Sequence, residues 1–543
     1  MTVTGWVAQR LLKLPPATTR KVSVERDLRI TADDGVTLLA DRWWPTPASD
    51  SNRGPDLPTA LVRSPYGRKG PLGWLMGRLL AERGFQVLLV STRGTFGSGG
   101  GEFRAMREER ADGHAVLRWL AEQPWFNGSV VLTGASYLGY TQWVVAADAP
   151  VQVKAMVPHV TSSRLAMTFL RPGRIELETL MNWSVMTAHQ ERRFAGLRAS
   201  LERKKIEAAM RTLPLADGDK AALGREWPFY QDCVHHDQDD PYWKKEDFSD
   251  TVAEVKVPVS SIAGWYDIFL ADQLRDYQAL VAAGRPPRLT IGPWAHADPK
   301  GLAASIWETV RWAGPLARGA KPAYRAPVRL FVMGVKQWRE FDQWPPAGYT
   351  QQRWHLREGN ALGQVPGGFV APDTFTYDPS DPTPSVGGAK LESRGAGAVD
   401  NRSVEKRDDV LTFTSDVLEA DLEVIGEVGA EVWLRADQKA CDLFVRVCDV
   451  DRRGRSTNIC DDLVKVRPDG ITKVTVALSP TAHVFQRGHR IRVQVAAGAF
   501  PRFARNLGGD EPLATAATPH VTRLEIFHDA AHPSAVLLPV KVN

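Results

Sequence analysis

Cysteine is scarce: four in 543 residues, at positions 233, 441, 448 and 460. No Cys-x-x-Cys pair exists, and no His pair sits at finger spacing beside them. That excludes a disulfide scaffold and leaves no structural zinc pattern; buried thiols in a reducing compartment are the expectation. A dominant charge is missing too. Lys and Arg number 68 against 63 Asp and Glu, a net +5, with no long basic block, so no nucleic-acid partner is expected. The first residues, MTVTGWVAQRLLKLPPATTRK, lack a continuous apolar core of a secretory signal, which points to a cytoplasmic protein. Trp6, Val7, Leu11, Leu12 and Leu14 could instead form a short amphipathic helix that packs on its own protein. The longest uncharged run, residues 129–147, contains Thr133, Gly134, Ser136, Gly139, Thr141 and Gln142. It reads as buried strand, sharp turn and buried helix rather than as a membrane span.

What is present describes a large globular chain. Hydrophobic residues make up 43% and charged residues 24%, which excludes disorder as the main state. At about 150 residues per domain the length suggests roughly three to four domains. In the first 300 residues, continuous apolar runs at 59–64, 85–91, 129–133, 153–158, 257–263 and 287–292 alternate with helical stretches at 107–123, 139–147 and 271–283. Apolar runs of that kind fit strands buried on both faces, and the alternation predicts an α/β fold with a largely parallel sheet. About a hundred residues interrupt the series after Pro158. They are rich in helix formers and too long for a loop, so they predict a helical insertion. Composition shifts near Trp354, which closes a stretch holding 17 of the 18 tryptophans. Short alternating strands follow at 410–414, 430–435, 443–450, 471–478, 491–496 and 521–526, a pattern of β-sandwiches and jelly rolls. The expected division is an N-terminal extension over 1–21, a catalytic α/β unit over 22–160 and 251–325, a helical cap over 161–250 and a β jelly roll over 326–543.

One strand–turn–helix carries chemistry. Gly134-Ala135-Ser136-Tyr137-Leu138-Gly139 follows the run SVVLT and precedes a helix, the context of a nucleophile elbow. It departs from Gly-x-Ser-x-Gly, since Leu138 holds the last position and the glycine comes one later. The alternative is a serine in an ordinary tight turn. A serine hydroxyl needs a base, and the base needs a carboxylate. Asp267 and His296 each follow a later strand, in the order Ser, Asp, His of an α/β-hydrolase, on the same sheet edge as Ser136. Asp267 could otherwise serve as a helix cap, and His296 as an interior histidine beside Trp294. His159 also follows a strand but lies in the wrong order. The run His235 to Asp240 resembles a metal cluster, yet successive side chains diverge, so capping roles fit it better. Gly97 to Glu102 lacks the Lys-Ser/Thr of a phosphate loop and reads as a flexible loop near the site. No metal or organic cofactor is expected.

With this triad in view, the chain resembles the cocaine esterase-like (CocE/NonD) hydrolases, relatives of X-Pro dipeptidyl-peptidases and α-amino-acid ester hydrolases. The resemblance runs from about Val22 to Val542. Its marks are RSPYG (63–67), TRGTFGSGGGEF (92–103), GASYLGYTQW (134–143), AGWYDIF (263–269), IGPWAH (291–296), VRLFVMG (328–334) and GHRIRVQV (488–495). It implies an α/β-hydrolase core with a helical cap and a C-terminal jelly roll. It also implies Ser136 as nucleophile, His296 as base, Asp267 as its orienter, and an oxyanion hole from the Tyr137 amide and the Tyr66 hydroxyl. The substrate would be a small ester or amide, the protein cytoplasmic, and a homodimer a candidate assembly. Trp265, Tyr266, Phe269 and Trp294 are expected to line an apolar pocket, whereas Trp143 fits the core. Peptidase action on X-Pro dipeptides would need a carboxylate for the substrate ammonium, with Glu176, Glu178 and Asp232 as candidates. A rival of another class is a carbohydrate-binding jelly roll on a relic hydrolase core.

Overall fold

The computed structural model describes residues 9–46, 57–192 and 195–542. A ten-stranded sheet is built from β1 (Val22–Thr31), β2 (Thr37–Pro45), β3 (Thr59–Ser64), β4 (Gln86–Ser91), β5 (Val130–Ala135) and β6 (Val153–His159). After a small hairpin, β7 (Leu170–Arg171) and β8 (Arg174–Ile175), it continues with β9 (Ser260–Tyr266), β10 (Arg288–Ala295), β11 (Val328–Val332) and β12 (Gln337–Phe341). The order is β1-β2-β4-β3-β5-β6-β9-β10-β11-β12. From β4 to β11 every pairing is parallel, and antiparallel strands flank this centre. β3, β4 and β9 are buried at every residue, as helices on both faces of a parallel sheet require. Chain order reverses at β3, so a crevice opens at the carboxyl ends of β3 and β5.

The sequence predicts the central strands to within a few residues but misses β1 and β2. β1 (VSVERDLRIT) is mostly exposed and bulged between Glu25 and Leu28, so it offers no apolar run. The expected division at residue 325 also cuts this sheet short. β11 pairs in parallel with β10, and β12 pairs with β11. The alternating burial of β11 resembles a sandwich strand because the strand lies near the sheet's edge.

The insertion after β6 is helical, with Leu177–His189, Ala195–Ala209 and Pro228–His235 its longest elements. His236 Nδ1 pairs with Asp240 at 2.9 Å, and Asp240 caps the next turn through the Tyr242 N–H at 2.8 Å. The glycine-rich loop is pinned to β2. Gly99 N–H donates to Thr37, and the Ser98 hydroxyl bridges Leu39 and Ser91.

The second sheet has eleven strands, and its longest, Leu422–Ala436, pairs with three partners. Val445, Val493 and Ile526 from this sheet share one apolar cluster with Ala263, Ile291 and Leu330 of the first. At the start of the chain Leu14 is buried in the main core and Leu11 is exposed, whereas Trp6 and Val7 lie outside the described residues. All four cysteines are buried and unpaired. Among the described residues no helix is long and apolar enough to cross a membrane.

Candidate active site

Ser136 directly follows β5 and precedes the helix Tyr137–Ala146, with φ 59° and ψ −125°. A positive φ at a residue with a Cβ costs about 1–3 kcal/mol and persists only where its surroundings hold it. Here the Ser136 N–H donates to the His159 carbonyl at 2.9 Å, and Thr161 Oγ1 donates to the Ser136 carbonyl at 2.7 Å. The two glycines flanking the serine explain the departure from Gly-x-Ser-x-Gly. A Cβ at Gly134 (φ +144°) would lie 2.5 Å from Leu138 Cβ, and one at Gly139 would lie 2.4 Å from Thr161 Cγ2. Leu138 is accommodated because 134 has no side chain. The second glycine moves to 139 because Thr161 closes on the helix there. Tyr137 opens the helix, where an N–H has no carbonyl four residues back and the helix dipole favours negative charge. Its ring is anchored beneath, with the hydroxyl donating to Glu109 at 2.8 Å and accepting the Met106 N–H at 2.7 Å. Glu109 is in turn ion-paired to Arg63.

Asp267 and His296 follow β9 and β10. His296 Nδ1 pairs with Asp267 Oδ1 at 2.7 Å, while Asp267 Oδ2 accepts the Phe269 N–H at 3.1 Å. Asp267 is buried. Both of its oxygens are therefore committed, which fixes its carboxylate plane and presents Nε2 of His296 outward. Ser136, His296 and Tyr66 line one cleft of about 650 Å³. Tyr66 follows β3 across the crevice. Burial pushes its hydroxyl up to about 12, against the opposing influence of hydrogen bonds with Trp183 and Ser136, so the phenol stays a proton donor at neutral pH.

The remaining walls come from afar. Asn182, Trp183, Val185 and Met186 of the insertion line the cleft, with Arg203 and Ile206 from the next helix and Leu391 to Arg394 from a loop beyond the second sheet's first strands. Sequence reading missed all of these. The apolar face of Leu177–His189 looks like any core-facing helix, and a loop 95 residues past His296 carries no motif. Of the four aromatics expected to line the pocket, none borders this cleft. Trp265 donates its indole N–H to the Phe331 carbonyl at 2.7 Å, the Tyr266 hydroxyl meets Met333 Sδ at 3.1 Å, and Trp294 packs on Trp338. Phe269 alone reaches the site, its ring centre 5.4 Å from that of His296. Trp143 is in the core. His159 is buried behind Ser136, and burial, with His296 nearby, lowers its pKa to about 3. The three acids considered for a substrate ammonium also lie off this cleft. Glu178 pairs with Lys390 at 3.1 Å and Glu176 with Arg174 and Arg502 at 3.6 Å, while Asp232 interacts with Tyr242.

The chain has relatives along nearly its whole length. Residues 34–298 match the X-Pro dipeptidyl-peptidase (S15) family, and residues 323–537 match the X-Pro dipeptidyl-peptidase C-terminal non-catalytic domain. The chain is 30% identical to cocaine esterase of Rhodococcus sp. (strain MB1 Bresler), over 95% of this chain and 98% of that one. An α-amino acid ester hydrolase structure superposes with a TM-score of 0.80 at 19% identity, over 97% of this chain and 98% of that one. An aminopeptidase from a marine sediment Thaumarchaeota archaeon does so with a TM-score of 0.79 at 20% identity, with the same coverages.

Proposed function

The chain belongs to the cocaine esterase-like branch of the X-Pro dipeptidyl-peptidase (S15) hydrolases and is a serine hydrolase, and we propose that it cleaves small carboxylic esters through Ser136. One observation carries the assignment of residues: Ser136, His296 and Tyr66 share a cleft, and Asp267 holds His296 from behind. In this reading His296 takes the Ser136 proton as Oγ attacks the ester carbonyl. The Tyr66 hydroxyl and the Tyr137 N–H receive the developing oxyanion, where donors aimed at the transition state are most effective. Collapse expels the alcohol, protonated by His296, and leaves an acyl-enzyme. Water deprotonated by His296 then attacks the acyl carbon, and the serine departs with the proton restored. Residues 161–250 form the cap over this chemistry.

Ester rather than dipeptide cleavage is favoured by the charge of the cleft. Among the described residues Glu392 is the one carboxylate lining it, exposed and beside Arg203. Cleavage of X-Pro dipeptides from a free N-terminus would require that carboxylate to hold an ammonium group. Turnover of p-nitrophenyl butyrate beside Ala-Pro-p-nitroanilide, with fluorophosphonate labelling mapped by mass spectrometry, tests the proposal. Ester turnover with label on Ser136 is expected. Anilide turnover alone would transfer the function to a peptidase, and an unlabelled folded protein would remove Ser136 from the chemistry.

A further inference from the structure

The geometry points to Trp183 of the cap as a positioning residue for the oxyanion hole: its indole N–H fixes the direction in which the Tyr66 hydroxyl donates. The inference rests on the reading of Ser136 and Tyr66 given above. Its basis is one hydrogen bond and the chemistry of its two partners. Trp183 Nε1 lies 3.0 Å from the Tyr66 hydroxyl oxygen. An indole nitrogen can only donate, and a phenol can donate once and accept. The Tyr66 oxygen is therefore the acceptor in this bond, and its own hydrogen must point elsewhere. Ser136 lines the same cleft as Tyr66. With the indole occupying the acceptor side, the hydroxyl hydrogen is free to point into the cleft that Ser136 lines. During acylation it faces the oxygen on which charge develops.

Two consequences follow from general principles. A hydroxyl that accepts a hydrogen bond is polarised into a better donor, and the effect is strengthened in a low-dielectric site. A donor already oriented before the reaction pays no reorganisation when charge appears. The indole is itself held rigidly enough for this task. Trp183 is buried. Its ring lies parallel to Tyr137, with centroids 6.3 Å apart and an interplanar angle of 17°, and it meets Phe229 edge-on at 4.8 Å and Phe169 at 5.5 Å. Tyr137 supplies the other proposed oxyanion donor. One side chain of the inserted cap thus braces both residues of the hole, so the cap acts on turnover as well as on substrate choice.

The test is a double-mutant cycle on the full chain: wild type, Trp183→Phe, Tyr66→Phe and the double variant, with kcat and KM measured for p-nitrophenyl butyrate. Trp183→Phe is expected to lower kcat by about fivefold to tenfold, the size of one neutral hydrogen bond expressed as a rate, with KM changed less than threefold. In the Tyr66→Phe background the same change should cost nothing further, because no hydroxyl remains to be aimed. A merely structural role would cost the same factor in both backgrounds, and that result overturns the inference. Site-specific replacement of Trp183 by benzothienylalanine keeps the ring size and removes only the N–H, so it keeps the test valid should the phenylalanine variant fold poorly. It should reproduce the kcat loss, and full activity there would refute the role of the N–H. Ser136→Ala is assayed alongside. Its retained activity would overturn the underlying reading and this inference together. An inactive Ser136→Ala with an additive cycle would overturn this inference alone.

Discussion

Asp267→Asn is the sharpest probe of the proposed triad, because the structure dictates what the amide must do. Each carboxylate oxygen of Asp267 accepts one N–H, from His296 Nδ1 at 2.7 Å and from the Phe269 backbone at 3.1 Å. Asparagine offers one acceptor and one donor in the same buried space. If its oxygen faced His296, the NH2 group would confront the Phe269 N–H, two buried donors without an acceptor, at a cost of about 1–3 kcal/mol. The backbone cannot change its role, but the imidazole can. The carboxamide oxygen therefore turns to Phe269, and His296 is driven into the tautomer with its proton on Nε2, where it cannot accept the serine proton. The charge that stabilises the imidazolium during attack is lost as well. Together these effects amount to about 4–5.5 kcal/mol, a fall in kcat of about 10³ to 10⁴. The side chains are isosteric, so thermal unfolding should stay close to wild type. The assay is kcat for p-nitrophenyl butyrate near pH 7.5 with the rate of fluorophosphonate inactivation, both of which should fall together. A folded variant retaining more than a tenth of wild-type turnover would refute the reasoning, since no tautomer switch of this kind leaves the base intact.

Ser136→Ala should abolish measurable ester turnover while the protein stays folded; activity near wild type in purified protein would exclude Ser136 as the nucleophile. Gly139→Ala forces a methyl into Thr161, the residue that holds the Ser136 carbonyl, and should cost about 1–3 kcal/mol of stability along with at least a tenfold loss of kcat, measured by urea unfolding and ester turnover. His159 is held neutral by burial, its pKa lowered to about 3. The unfolded chain binds the proton more readily, so stability is full above the unfolded value near 6.5 and is lost as pH falls from there towards 3. Between pH 7.5 and pH 5 the wild type should lose about 2 kcal/mol through this group alone. His159→Gln should lack that component, and an identical pH dependence in both proteins would show that His159 titrates normally.

How much of this was legible in the sequence depended on how local the signal was. The proposed triad rests on short segments at strand ends, and parallel strands carry such ends to one edge of a sheet; Ser136, Asp267 and His296 could therefore be read in order. The pocket aromatics failed for a reason internal to strands. Successive side chains point to opposite faces, and β9 is buried on both. Trp265 and Tyr266 thus stand next to Asp267 in sequence while packing towards Phe331 and Met333. Nearness along a buried strand says little about which cavity a ring faces. The walls supplied by Trp183, Arg203 and Leu391 were out of reach for the opposite reason. They meet Ser136 only through long-range packing, and each sits in a pattern that reads as ordinary helix or loop. The long strand Leu422–Ala436 shows a milder form of the same limit. Gly426 and Gly429 suggest a strand beginning near 430, yet the chain runs through them, bulged between Gly426 and Val428.

The same separation of near and far explains how the site is put together. The groups proposed to make and break bonds stand at the ends of β3, β5, β9 and β10, in a sheet whose central strands leave little room to move. The groups that would meet the rest of a substrate come from two segments that cross over the sheet, the cap and the loop at 391–394. These two are joined to each other. Lys390 pairs with Glu178 at 3.1 Å, and the Glu178 N–H donates to the Pro501 carbonyl. The C-terminal unit, whose family counterpart is described as non-catalytic, thus supplies a wall of the cleft and a tie that holds the cap helix carrying Trp183. A change at that tie would shift the cap relative to Tyr66 without touching Ser136 or His296. In this chain, changes in the cap or the loop would reach the walls of the cleft while leaving the strands that carry Ser136, Asp267 and His296 as they are.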